Sequence, residues 1–226
     1  MNDTVSTSET ADGGANPAAT PTLAPTPRSK QRKAPPRGKP VLPVLEKLFE
    51  LQPRLFGAQF KPLKIGIFED LLARHPEAFQ RADLKSALGL HARSTAYLES
   101  VASGLQRHDL DGNEVAPVAP EHVHHAIMEV FRRRQQRTKD DLKPRVVARL
   151  AAALEASGMT PQEYGERMRT ADETSNALLE QAVAQAAQRS AKREALRRAF
   201  QASGQSVEAF AEIYGMDLAE VRRALG

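Results

Sequence analysis

Apolar side chains recur every three to four residues through most of the chain after residue 40, the spacing that places them on one face of an α-helix. This spacing predicts short helices at 69–75, 83–90 and 94–102. Pro76 ends the first of them, because the residue before a proline is driven out of the helical region. Gly104 is placed to end the third, since a left-handed glycine commonly closes a helix.

One β element interrupts the helical pattern. Residues 105–109 and 115–118 flank Asp111-Gly112, a pair that supplies the positive φ of a tight hairpin turn. A further helix starts at Pro120, because proline is tolerated in the first turn of a helix. The pattern therefore predicts a mainly α fold with a small β-hairpin.

A compact apolar run at 62–68 leads into the first short helix. We predict that Leu63, Ile65 and Ile67 of this run lie in the core, while the neighbouring lysines face solvent. The run is therefore interpreted mostly as scaffold.

The C-terminal part carries a faint internal repeat. Residues 154–164 echo residues 200–210, and in each copy Ser-Gly ends one helix while Thr160 or Ser206 caps the next. Between the copies, 174–200 is typical of a long helix rich in alanine and glutamine. We expect a helical module that is separate from the preceding domain.

Composition divides the chain into four segments. Residues 1–40 hold seven of the fifteen prolines and almost no large apolar side chain, so they cannot bury enough surface to offset their ordering entropy. We therefore predict a disordered, Pro-rich basic arm at 1–40, followed by a compact domain at 41–131. A basic helical linker at 132–149 and a helical C-terminal module at 150–226 follow.

The net charge of +4 is modest, but the positive excess lies in two segments that flank the central domain. Residues 28–39 contain six basic and no acidic side chains, and residues 132–149 contain eight basic against two acidic ones. Within 41–131, twelve acidic side chains exceed nine basic ones. Basic segments on both sides of one domain suit a polyanion such as nucleic acid, because each phosphate contact releases counterions.

Other chemistries have little support in the sequence. The chain has no cysteine, and it lacks a glycine-rich phosphate loop, a nucleophile elbow and an HExxH stretch. His122 and His125 lie one turn apart, but two imidazoles without a suitable third ligand make a poor zinc site. We therefore expect no metal, no cofactor and no enzymatic activity. No secretory signal or bilayer-length apolar run is present, so we expect a cytoplasmic protein without a membrane partner.

The central segment contains four motifs in register. They are PLKIGIFEDL at 62–71, LKSAL at 84–88, STAYL at 94–98 and RHDLDGN at 107–113. In order and spacing they resemble the ProQ/FinO family of bacterial RNA chaperones, and the resemblance covers roughly 41–131. It implies a partner, an RNA hairpin with a single-stranded, U-rich 3′ tail such as a terminator or small regulatory RNA. Binding would protect the 3′ end and could promote pairing between RNAs.

The resemblance also implies which side chains contact RNA. They are basic or polar residues outside the apolar positions, namely Lys61, Lys64, Arg81, Lys85, Arg93, Ser94, Tyr97 and Arg107, with Arg132, Arg133 and Arg134 as auxiliary cations. In the family the tyrosine corresponding to Tyr97 lies at a pocket for the RNA 3′ end, beside a helix start that Ser94 would cap. Free N–H groups there would bind oxygen, and the ring would hold an unstacked base. This chain has Lys85 where the family commonly has arginine, and Ala92 where threonine is common.

Some of these residues also have a structural interpretation. A lone tyrosine on an apolar helix face, as at Tyr97, is more often a core residue than a ligand contact. Arg107 could form a surface salt bridge with Asp109 or Asp111 instead of clamping a phosphate. Asp70 is interpreted as a structural carboxylate, because a carboxylate that faced RNA would be repelled.

Two functional alternatives stay open for the C-terminal module. Ala211, Gly215 and Val221 stand where a helix-turn-helix needs a small residue, a turn glycine and a buried branched residue. The module at 150–226 could therefore make the chain a DNA-binding regulator. The other alternative is a protein-interaction adaptor, with a protein partner or self-association through the same module.

Overall fold

The computed structural model describes residues 42–225, and the arm predicted at 1–40 lies outside them. Within that range the chain forms eleven helices and one two-stranded antiparallel sheet, which confirms the mainly α fold with a small hairpin. The described helices are too short or too polar to span a bilayer. The elements are α1 (Leu42–Leu51), α2 (Pro53–Phe56), α3 (Ile67–Arg74), α4 (Arg81–Ala92), α5 (Thr95–Ala102), β1 (Arg107–His108), β2 (Glu114–Ala116), α6 (Pro120–Gln135), α7 (Lys143–Ser157), α8 (Pro161–Met168), α9 (Glu173–Ser203), α10 (Val207–Ile213) and α11 (Leu218–Leu225).

Local sequence signals set several helix boundaries as predicted. α2 begins at Pro53, and Gln52 lies between it and the end of α1. Ser94 caps α5, because its Oγ accepts a hydrogen bond from the backbone N–H of Tyr97 at 3.2 Å. Thr160 and Ser206 cap α8 and α10 in the same way. Each cap satisfies an N–H group that the first turn of a helix leaves without a partner.

The predicted hairpin forms, with shorter strands than the pattern indicated. Gly112 has a φ of +83° in the turn, the left-handed conformation that the Asp-Gly pair predicts. Asp109 accepts hydrogen bonds from the backbone N–H groups of Asn113 and Asp111, each at 2.9 Å. These bonds, the one from Asn113 foremost, hold the pKa of Asp109 below its usual range. The carboxylate therefore serves the turn.

The prediction for Ile65 was wrong. Leu63 and Ile67 are each 7% exposed, as expected, but the side chain of Ile65 is 77% exposed. The backbone turns at Ile65 and Gly66, and Gly66 has a left-handed φ of +89° where it precedes α3. This turn ends the alternation of the extended segment, so Ile65 lies on the outside of the bend.

Buried apolar side chains from α1 through the middle of α9 form one continuous cluster. Leu48 in α1, Leu84 in α4, Leu150 in α7 and Tyr164 in α8 are all fully buried within it. A second, smaller cluster around Phe210 joins the end of α9 to α10 and α11. Packing thus continues past the end of the predicted domain, and the segment boundaries drawn from the sequence stay predictions.

Two buried histidines should make the stability of this core sensitive to acid. His91 and His124 are 3% and 6% exposed, and burial lowers the pKa of each from 6.5 to about 4. Unfolded imidazoles take up protons below pH 6.5, while the folded ones resist protonation down to about pH 4. Stability is therefore complete above pH 6.5 and is lost as the pH falls through that window.

We expect the free energy of unfolding to fall by about 2 kcal/mol between pH 7 and about pH 5.5 for the two imidazoles together. Urea denaturation at the two pH values measures this difference. His124→Gln should reduce the pH dependence. His125→Gln is the matched control at an exposed neighbour and should change it much less, because the charge of His125 lowers the pKa of His124 only after the larger effect of burial. A free energy that stays constant over this range would contradict the prediction.

Candidate functional site

The segment before α3 is held against two of the predicted site residues. The backbone N–H of Leu63 donates to the hydroxyl of Tyr97 at 3.1 Å, and Nη1 of Arg107 donates to the carbonyl of Leu63 at 2.9 Å. Both backbone groups of one residue are therefore satisfied by side chains that lie 34 and 44 positions away in the sequence. As a result Lys61 and Lys64 lie beside Tyr97 and Arg107.

The same segment also pairs with β1 of the hairpin through a single parallel bridge. The N–H of Lys64 donates to the carbonyl of His108 at 2.9 Å, and the N–H of His108 donates to the carbonyl of Pro62 at 2.8 Å. Leu63 and His108 form an isolated parallel bridge between these bonds. The position of the lysines thus depends on the hairpin that carries Arg107.

Tyr97 differs from the exposed ring that the family resemblance implied. Its side chain is 9% exposed and belongs to the hydrophobic core, while its hydroxyl is engaged by Leu63. Its ring packs on His91 with 5.0 Å between centroids, and His91 in turn packs on Phe56 and Phe60. Because the Tyr97 ring is buried in the core and packs on His91, it offers little free face for stacking. This agrees with the structural interpretation of Tyr97. The side chain positions the Leu63 segment.

The start of α5 carries unused hydrogen-bond donors beside a cation. Among residues 42–225, the backbone N–H groups of Thr95 and Ala96 have no partner. Nη1 of Arg133 donates to the carbonyl of Arg93 at 2.7 Å and to Oγ1 of Thr95 at 3.2 Å. Helix starts carry partial positive charge, and the Arg133 guanidinium adds a charge that its ion pair with Glu129 at 2.9 Å partly neutralises. These groups can donate hydrogen bonds to an anionic or hydroxyl oxygen of a ligand.

Arg107 does not form the salt bridge that was its structural alternative. Asp109 bonds to the turn, and both oxygens of Asp111 accept from Arg74 at 2.7 and 2.9 Å. The Arg74 guanidinium holds the pKa of Asp111 below its usual range. Arg107 instead uses Nη2 to contact Nδ1 of His122 at 2.9 Å.

His122 is held by Arg107, which bears on the zinc site judged poor from the sequence. A guanidinium can only donate, so Nδ1 of His122 accepts the bond from Arg107 and carries no proton. Within residues 42–225, no group of three or more metal-ligating side chains comes together. The partnership of Arg107 with His122 had no signal in the sequence, because it depends on how the hairpin docks on α6.

Two further predicted cations lie on α4. Arg81 and Lys85 are both exposed, and they are one turn apart on the same helix, as expected. The guanidinium of Arg81 lies 5.1 Å from the centroid of the Phe68 ring and 3.8 Å from Glu69. Lys85 has no ion pair among residues 42–225. Both charges are available to a ligand on this face.

Lys64 is less free than the sequence suggested. Its Nζ lies 2.8 Å from Oδ2 of Asp70, and both side chains are partly exposed. Asp70 thus has the structural hydrogen-bonding role expected of it. Lys61, by contrast, has no ion pair within the described residues and keeps its full charge.

The three consecutive arginines at the end of α6 point to different places. Arg132 and Arg133 both pair with Glu129, Arg133 also reaches the start of α5, and Arg134 pairs with Glu99. Successive residues of a helix are rotated by about 100°, so three neighbours cannot share one face. Only Arg133 joins the residues around Ser94 and Tyr97.

The central part of the chain is similar in sequence to known proteins. The ProQ/FINO family model matches residues 39–143. The chain is 42% identical over 89 residues to an RNA chaperone ProQ from Shewanella frigidimarina (strain NCIMB 400), covering 38% of this chain and 44% of that protein. It is 41% identical over 87 residues to an RNA chaperone ProQ from Vibrio vulnificus (strain CMCP6), covering 37% of this chain and 42% of that protein.

The matched segments span less than half the length of these two relatives. Among solved structures, the chain is similar to a ProQ homologue from Legionella pneumophila, with 34% identity and a TM-score of 0.37, over 50% of this chain and 98% of that one. The matching family and the names of both relatives agree with the motifs of the central segment. The family match and the two relatives together support a domain of the ProQ/FinO type at residues 39–143.

Proposed function

We propose that the chain is an RNA chaperone that binds structured RNA non-covalently, holding the free 3′ end of a hairpin with a single-stranded tail. One observation carries this proposal: the unused N–H groups at the start of α5 lie beside Arg133 and next to the segment held by Tyr97 and Arg107. The names of the two curated relatives, both RNA chaperone ProQ, support it.

Each part of the site has a role in this mechanism. The terminal hydroxyl or phosphate oxygen would accept from the N–H groups of Thr95 and Ala96, while Arg93 and Arg133 supply positive charge. Lys61, Lys64 and Arg107 would hold the phosphates of the tail. Tyr97 acts as a positioning residue, because it keeps the Leu63 segment in place.

The duplex stem would rest on the exposed face of α4. Arg81 and Lys85 lie there one turn apart and can contact successive phosphates. The narrow major groove of A-form RNA hides base edges from side chains, so recognition of the stem depends on shape and backbone. Binding alone would shield the 3′ end, and holding two RNAs together would promote their pairing. No metal or cofactor has a part in this mechanism.

An electrophoretic mobility shift assay with the full chain tests the proposal. The probes are a hairpin with a free 3′ tail, the same hairpin with a bulky alkyl group on its 3′ oxygen, and duplex DNA of equal length. We expect the blocked end to weaken binding about tenfold, which corresponds to about 1.4 kcal/mol. Duplex DNA should bind more weakly than either RNA.

The three probes separate the alternatives. Equal affinity for the hairpins with free and blocked 3′ ends would rule out the proposed 3′-end site and leave only general RNA binding. Preference for duplex DNA would instead favour the DNA-binding alternative through α10 and α11. Weak binding to all three would favour the protein-interaction adaptor.

A further inference from the structure

A cleft of about 160 Å³ lies between α6 and α7. Its floor is apolar and includes Val130, Phe131 and Val146. Its rim is cationic, with Arg134, Arg145 and Arg149 around the opening. An apolar floor beside a positively charged rim suits a ligand that combines a flat ring with an anionic group.

The charge of this rim is only partly neutralised. Arg134 and Arg149 both pair with the carboxylate of Glu99 on α5. Arg145 is exposed and has no ion pair among residues 42–225. Two of the three guanidinium groups share the Glu99 carboxylate and the third pairs with none of residues 42–225, which leaves an excess of two positive charges at the opening.

We propose that this cleft is a second RNA subsite that takes one nucleotide, with its base on the apolar floor beside Phe131 and its phosphate on Arg145. The size fits a single ring, since an apolar cavity of about 150 Å³ holds benzene. Bases that leave the stack gain stability against aromatic side chains, and guanidinium groups bind phosphate through paired donors. This inference rests on the proposed RNA-binding function.

The subsite lies next to the start of α5. Glu99 is on the same helix as Ser94 and Tyr97, and it anchors two of the three rim arginines. Arg133, adjacent to Arg134 in α6, donates to Arg93 and Thr95. An RNA strand bound at the start of α5 would therefore meet the cleft as the next positively charged surface.

Part of the cleft lies outside the segment matched by the family. The match ends at residue 143, whereas Arg145, Val146 and Arg149 belong to the following part of α7. The cleft exists because α7 packs against α6 in the same hydrophobic cluster. The residues after the matched segment would thus extend the RNA-binding surface.

The test uses the full chain and a tailed RNA hairpin that carries 4-thiouridine at one position at a time. Arg145→Ala should weaken binding about threefold to tenfold, the loss expected for one ordinary hydrogen-bonded contact at an exposed position. Arg223→Ala is the matched control, because Arg223 is also exposed and unpaired within the described residues. This control should change the affinity less than about twofold.

Photocrosslinking locates the nucleotide. At least one 4-thiouridine position should crosslink to residues 131–149, and Arg145→Ala should reduce that crosslink selectively. If the wild-type chain binds the hairpin but Arg145→Ala matches Arg223→Ala and no crosslink maps there, the subsite is overturned while the proposed function survives. If the wild-type chain does not bind the hairpin, the proposed function fails, and the subsite fails with it.

Discussion

Replacing Arg107 with alanine is expected to lower the affinity for a hairpin RNA with a free 3′ tail by about tenfold to a hundredfold. Hydrogen bonds to charged groups contribute about 1.5–3 kcal/mol each, and about 1.4 kcal/mol corresponds to a factor of ten. Arg107 also holds the carbonyl of Leu63 at 2.9 Å, so its loss releases the segment that carries Lys61 and Lys64. One substitution should thus remove a direct contact and displace two further cations.

Two variants separate these effects. Arg107→Lys keeps the charge but cannot hold Leu63 and His122 together, because an ammonium lacks the fork of the guanidinium. It should restore only part of the affinity. Arg222→Ala is the matched control, since it removes another guanidinium with one hydrogen-bonded partner, Glu208, in α11.

Fluorescence anisotropy with labelled hairpin gives the dissociation constants, and circular dichroism confirms that each variant is folded. A folded Arg107→Ala chain with the same affinity as Arg222→Ala would show that Arg107 is only a structural clamp. The β-hairpin of the protein would then have no part in RNA binding, and the phosphates of the RNA tail would need another partner.

Sequence alone predicted the features that depend on neighbours along the chain. Ser94, Thr160 and Ser206 cap helices as expected, because a cap involves a side chain and an N–H only three residues away. The turn at Gly112 formed for the same reason, since an Asp-Gly pair contains its own conformational preference. Helix positions followed from apolar spacing that each segment carries within itself.

Features that depend on contacts between residues far apart in the chain could not be predicted from the sequence. Tyr97 lies in the core, as its structural interpretation allowed, but its hydroxyl contacts Leu63 and its ring packs on His91. Nothing near Tyr97 in the sequence encodes those partners. Ile65 had the apolar character of a core residue, but a bend at Gly66 leaves it outside.

The charged residues show the same difference: their number can be read from the sequence, but their ion pairs depend on how distant helices pack. The basic composition of 132–149 was evident, but counting charges could not separate Arg132, which pairs with Glu129, from Arg145, which stays unpaired within the described residues. The ion pairs of Arg134 and Arg149 with Glu99 need α5, α6 and α7 together. A candidate binding surface therefore emerged only from the packing of helices around the unpaired charge.

The C-terminal helices should contribute directly to the stability of the domain that carries the site. Tyr164→Ala is expected to reduce the free energy of unfolding by about 3–5 kcal/mol, the usual cost of removing a large buried aromatic side chain. Tyr164 is fully buried in α8, and its hydroxyl lies 3.2 Å from Nδ1 of His124 in α6. Burial also raises the pKa of Tyr164 to about 12, so its phenol stays neutral at any pH of interest.

Chemical denaturation followed by circular dichroism measures the change. Tyr164→Phe keeps the ring but leaves His124 without its partner, and it should cost about 1–3 kcal/mol. Tyr214→Ala removes the same side chain from a position that is 59% exposed, so its cost should stay below about 1 kcal/mol.

The shape of the transition tests the domain division predicted from the sequence. If α7, α8 and the first half of α9 share a cooperative core with α1–α6, Tyr164→Ala shifts a single transition that also governs RNA binding. If 150–226 folds as an independent module, the variant produces a second, earlier transition and leaves the affinity for the hairpin unchanged. The hydrophobic cluster is continuous from Leu48 to Ala186, which favours the first result. A side chain buried where α8 packs on α6 stabilises both groups of helices.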